Sequence, residues 1–85
     1  MSEQEVGVVT HYFGHLQVAA INLTGGGLAV GDRVHIVGHT TDVSMIVETL
    51  QIEHSTVREA KKGESVGTKV PGHVREHDKV FKVTP

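Results

Sequence analysis

The chain has 85 residues, no cysteine, 38% hydrophobic residues and a formal net charge of −2. That describes one domain with a modest core, burying about 60–65% of the surface its unfolded chain exposes, and it excludes disulfide and thiolate–zinc staples. No apolar run approaches the ~20 residues that cross a bilayer as a helix. The acidic opening Met1-Ser2-Glu3-Gln4-Glu5 is unlike a signal peptide, so a cytoplasmic protein without a membrane partner is expected.

Charge divides along the chain. Residues 1–60 hold two basic side chains, Arg33 and Arg58, against seven acidic ones, whereas residues 61–85 hold six basic against three acidic. Valine-rich alternation and ten glycines argue for strands and against long helices. Six short strands are predicted, with a core over about residues 5–84 of a single domain. The first, near residues 5–12, alternates Val6 and Val8 with Gly7 and Val9. The connection Phe13-Gly14-His15 leads to a second near 16–23. Both faces of that second strand are apolar, with Leu16, Val18 and Ala20 on one and Ala19, Ile21 and Leu23 on the other. Two apolar faces imply a strand covered from outside by a loop or a partner.

Gly25-Gly26-Gly27 breaks the chain. The third strand, 33–37, turns Val34 and Ile36 inward. The fourth, 42–54, changes parity: Val43, Met45 and Val47 share one phase, Leu50 and Ile52 the other. A β-bulge bending the strand round a barrel corner is the expected cause. Residues 55–62 read as a turn, 65–70 as the fifth strand and 79–83 as the sixth. Gly31-Asp32 and Gly63-Glu64 each introduce an alternating run, as tight turns do. The fold expected from this pattern is all-β, a single six-stranded antiparallel closed β-barrel.

The ordered phrases carry a resemblance. They are Leu28-x-Val30-Gly31-Asp32-x-Val34-x-Ile36-x-Gly38, Val47-Glu48-Thr49-Leu50, Ala60-x-x-Gly63-Glu64-x-Val66-Gly67 and Arg75-x-x-Asp78-x-Val80. Over about residues 6–83 the set resembles domain 2 of the translational GTPases, elongation factor Tu among them. It is also similar to small free-standing translation elongation factor-like proteins and to the barrel appended to some U32-family peptidases. The resemblance implies a non-catalytic binding module contacting tRNA or the ribosome, with Glu48 matching a glutamate near the terminal adenosine of tRNA. The chain departs from the large factors in having no Gly-x-x-x-x-Gly-Lys-Ser/Thr loop, so no nucleoside triphosphate is expected to bind.

Candidate contact residues follow from these readings. Tyr12 and Phe13 are aromatics beside a turn, suited to stacking on bases or to docking on a protein. Arg75, Lys79 and Lys82 belong to the basic end and could meet phosphate. Glu48 completes the set. Seven histidines include His11/His15, His35/His39 and His73/His77. Four residues of extended strand span ~13 Å, too far to share one metal ion, so neither a metal site nor a cofactor is expected. With no nucleophile elbow and no partnered serine, no catalytic residue is assigned and no enzymatic activity is expected. The rival to an RNA-contacting module is a protein-interaction adaptor, for example a separate accessory to a U32-type peptidase-like enzyme.

Overall fold

Ten strands make up the computed structural model, which describes residues 2–85. They are β1 (Ser2–Phe13), β2 (Val18–Asn22), β3 (Leu28–Ala29), β4 (Arg33–Val37), β5 (Asp42–Ile46), β6 (Leu50–Ile52), β7 (Ser55–Val57), β8 (Glu59–Ala60), β9 (Ser65–Lys69) and β10 (Lys79–Thr84). Eight form one sheet in the order β5-β4-β10-β1-β2-β9-β6-β7, and β3 with β8 forms a separate two-stranded ladder. All pairings are antiparallel. The all-β expectation therefore stands, whereas the six-stranded closed barrel does not. The main sheet has eight strands, and its end strands β5 and β7 each pair on one side only, so the sheet is open.

The cause lies in residues 42–62. The expected fourth strand divides at 47–49, where the chain leaves the sheet. There Val47 bonds the neighbouring turn instead: its N–H donates to the Asp32 carbonyl at 2.8 Å, and its carbonyl accepts the Gly31 N–H at 2.8 Å. The parity change is thus a passage from one end of the sheet to the other, not a bulge within one ladder. Residues 55–62, expected as a turn, supply β7 and β8. β5 and β6 lie six steps apart in the sheet order, ~29 Å if the sheet were flat. The linking residues reach at most ~14 Å. The sheet must therefore curl strongly, and it does so without joining its edges.

Curling creates one interior. Val6, Val9, Ala19, Ile21, Leu23, Leu28, Val34, Ile36, Val47, Leu50, Ala60, Val66, Val70, Val74 and Val80 are buried in it. Two register shifts in β1, between Glu5 and Gly7 against β10 and between Val9 and His11 against β2, turn both Val6 and Val9 inward. The simple alternation expected there placed Val6 with Val8; each bulge adds a residue and flips the phase.

Three four-residue turns repeat one device. In Ala29–Asp32, Lys61–Glu64 and Arg75–Asp78 the last N–H donates to the first carbonyl, at 3.0, 3.1 and 3.2 Å. In each, the last carboxylate reaches back to accept the first N–H: Asp32 Oδ2 from Ala29 at 2.9 Å, Glu64 Oε1 from Lys61 at 2.7 Å and Asp78 Oδ2 from Arg75 at 2.8 Å. The third positions have φ of +98° at Gly31, +97° at Gly63 and +77° at His77, the geometry of a type II turn. These acids are structural punctuation, closing a turn before the next strand starts.

Candidate interaction face

β2 explains where an open surface remains. Its inward residues Ala19 and Ile21 are fully buried, while Val18 and Ala20 on the other side are only half-buried. Just before the strand, Leu16 is 64% exposed and Phe13 45% exposed. The two are drawn together by the tight connection from β1 to β2, in which the Leu16 N–H donates to the Phe13 carbonyl at 3.1 Å.

These residues border a shallow groove of about 330 Å³, whose lining also includes Gln51, Glu53 and His54 of the β6–β7 hairpin and Ser65, Val66 and Gly67 of β9. Ala20 pairs with Gly67, and Gly67 with Gln51, so the floor runs across three strands and is low where it crosses the alanine and the glycine. One wall is Phe13, whose ring meets the edge of His11 at a centroid distance of 4.5 Å. His11 Nδ1 in turn lies 3.2 Å from Glu76 Oε2. The opposite wall is the hairpin tip, where Ile52 pairs with Ser55 and only Glu53 and His54 intervene. A second hollow of about 400 Å³ lies at the chain end beside Gly31, Asp32, Arg33 and Lys82. Its two central charges, Lys82 and Asp32, already face each other at 3.4 Å.

The residues singled out in the sequence are dispersed. Phe13 lines the groove, but Tyr12 points to the other face of β1, where it packs on the core and sets its ring against His73 at 4.8 Å. Glu48 is exposed in the segment between β5 and β6. Lys79 pairs with Glu5 at 3.5 Å and Lys82 with Asp32. Being three apart on one strand, these lysines project from opposite faces of β10. Arg75 is exposed, and its backbone N–H is committed to the Asp78 turn. The paired histidines part company too: His11 goes to Glu76 and His35 to Glu3 and Asp42, while His73 meets Tyr12. Among the described residues no three histidine or acidic side chains converge as a metal site would require. Leu16, Gln51, Glu53, His54 and Gly67 were missed as candidates. The signal for Leu16 was present in the two-sided apolarity of β2.

Known proteins give this arrangement its context. No protein-family model matches the chain. Two solved structures of the C-terminal domain of a Geobacillus thermoleovorans protein classed with the U32 peptidases superpose with TM-scores of 0.85 and 0.87 at 18% identity. They cover 91% and 95% of this chain and 96% and 93% of theirs. The fold is that of a U32 peptidase C-terminal domain. In sequence, this chain is 42% identical over 78 residues to an uncharacterized protease of Methanocaldococcus jannaschii, a match covering 91% of this chain and 19% of that protein. It is 37% identical over 78 residues to two collagenases of Porphyromonas gingivalis, with 22% and 19% of those proteins covered. The chain thus spans about a fifth of the length of these curated relatives.

These matches settle one of the resemblances and correct another. The likeness to the domain appended to U32 peptidases holds in fold, whereas the translation-factor reading, with the tRNA role it lent to Glu48, finds no support. The physical reason is visible in the turns. The Gly-Asp and Gly-Glu phrases that carried the likeness are type II turns with a self-capping acid, a solution open to any small β-fold that must start strands sharply.

Proposed function

We propose that this chain is a non-catalytic, protein-binding domain that acts with a U32-type peptidase. The observation that carries the reading is the coverage: relatives named as proteases match nearly all of this chain with only about a fifth of their own length. Peptide-bond cleavage in those proteins therefore has some four-fifths of another chain in which to reside. The chain itself offers an apolar open face, and the basic residues of its last strand, Lys79 and Lys82, are each paired with a carboxylate, which suits recognition of a protein surface.

The test is a tagged pull-down from the cell that makes the protein, at low and moderate salt, with recovered proteins and RNA identified. Retention of a U32-type peptidase chain through the higher salt supports the reading, because an apolar interface is insensitive to screening. Recovery of RNA that is lost steeply as salt rises, with no peptidase, would overturn it.

A further inference from the structure

Resting on that reading, we infer that the groove between Phe13, Leu16 and the β6–β7 hairpin tip is the surface on which the body of a U32-type peptidase seats. Three features set the groove apart from the rest of the surface. Leu16 and Phe13 hold large apolar side chains in water although β1 and β2 already fill the core with other residues. Isolated exposed leucines are ordinary, but these two adjoin Val18 and Ala20 in one continuous apolar stretch, and such continuity marks contact surfaces.

The second feature is the floor. Gly67 stands in the middle of β9 with a φ that any residue adopts. A Cβ there would lie 3.4 Å from Val18 Cγ1, an ordinary contact, with nothing else within 4 Å. Neither backbone geometry nor packing inside the domain requires a glycine, and glycine weakens a strand interior. A glycine there leaves room for close approach of an outside surface.

The third is the wall. Glu53 and His54 both have positive φ, 50° and 67°, in a two-residue hairpin that ordinarily takes Asn-Gly. Gln17, beside Leu16, has a φ of 55°. Three of the four described non-glycine residues with positive φ thus stand beside the groove, the fourth being His77, and strained residues gather at contact sites.

The occupant follows from the relatives. In each of them a segment matching 78 residues of this chain belongs to a polypeptide four to five times as long, so a large body is held close to it at high effective concentration. An apolar face on a tethered domain becomes buried against that neighbour. This chain, with the same fold as a U32 peptidase C-terminal domain, offers its apolar face to a neighbour of that kind.

The pull-down above decides the matter with three added variants of the full chain. Leu16→Asp places a charge on the apolar rim, and Gly67→Leu fills the floor. Ile46→Asp alters an exposed apolar residue of β5, outside the groove, as the comparison. All three are checked for cooperative thermal unfolding; Phe13→Ser replaces a groove variant that fails it, and Val30→Asp, at another exposed apolar residue outside the groove, replaces the comparison. Capture of the U32-type peptidase should fall at least about tenfold for Leu16→Asp and Gly67→Leu, as expected for truncating or blocking an interface centre, and stay unchanged for Ile46→Asp. Undiminished capture by both groove variants would overturn the inference while leaving the proposed function intact. Failure of the wild-type chain to capture any U32-type peptidase would overturn both.

Discussion

The carboxylate of Asp78 lies where a side chain on Gly38 would begin. A Cβ on residue 38 would stand 2.6 Å from Asp78 Cγ, and closer still to one of its oxygens. Asp78 is 5% exposed, its Oδ2 accepting the Arg75 N–H, and its backbone carbonyl accepts the Val9 N–H at 2.8 Å. The contact therefore fastens the end of β4 to the turn that starts β10. Gly38→Ala should displace the carboxylate from its turn and cost about 2 kcal/mol, combining overpacking with loss of the part-buried hydrogen bond from Arg75 N–H. A urea titration would show a lower midpoint at an unchanged slope. A loss within ~0.5 kcal/mol would mean that the turn yields freely.

His77 occupies in the third acid-capped turn the position that glycine takes in the other two, at a φ of +77°. A left-handed conformation costs a non-glycine residue ~1 kcal/mol or more. His77→Gly should accordingly raise stability by about 0.5–1 kcal/mol, whereas Gly31→Ala, placed at φ +98°, should lower it by a similar amount. Paired thermal melts would display opposite shifts. Equal signs would refute the equivalence of the turns.

Thr68 is 2% exposed in β9, and its Oγ1 has no hydrogen-bond partner. An unmet buried hydroxyl forfeits its hydration without return, at a cost of ~1–3 kcal/mol. Thr68→Val replaces the hydroxyl by a methyl of nearly the same volume and suits a strand. We expect a gain of about 1 kcal/mol in chemical denaturation. A destabilised variant would show that the hydroxyl is in fact satisfied.

His35 bridges strands through both ring nitrogens, with Nε2 2.6 Å from Asp42 Oδ1 and Nδ1 3.3 Å from Glu3. The hydrogen bond to Asp42 is the main cause of a pKa raised above 6.5; it outweighs partial burial, and Glu3 adds to it. Because the folded value lies above the unfolded one, the imidazolium contributes stability that is complete below the unfolded pKa. That contribution is lost as pH rises through the folded pKa. The ring is about a quarter exposed and Asp42 largely so, so the swing should stay below ~1 kcal/mol. Melts from about pH 5 to about pH 8 should show the wild type losing stability relative to His35→Gln as pH rises. Parallel profiles would count against the bridge.

What the sequence determined by itself is local. The acid-capped turns are legible because donor, acceptor and glycine fall within four consecutive residues, Ala29–Asp32 and Lys61–Glu64 among them. The strands that follow are legible because alternation is a property of neighbours in the chain. The parity change between Val47 and Leu50 and the double apolarity of β2 could also be seen in advance, though not what each meant. The tertiary structure alone decided that the first is a passage between the ends of an open eight-stranded sheet. It also decided that the second leaves Leu16 beside Phe13 over a floor made by Gly67, fifty residues further on. Strand pairing and the exposure of a face depend on contacts between distant segments, whose energies no single stretch of sequence encodes. Glu53-His54 lacks the glycine that announces a hairpin, and Lys79 and Lys82 found their partners only when β10 met the carboxylates of β1 and of the Asp32 turn.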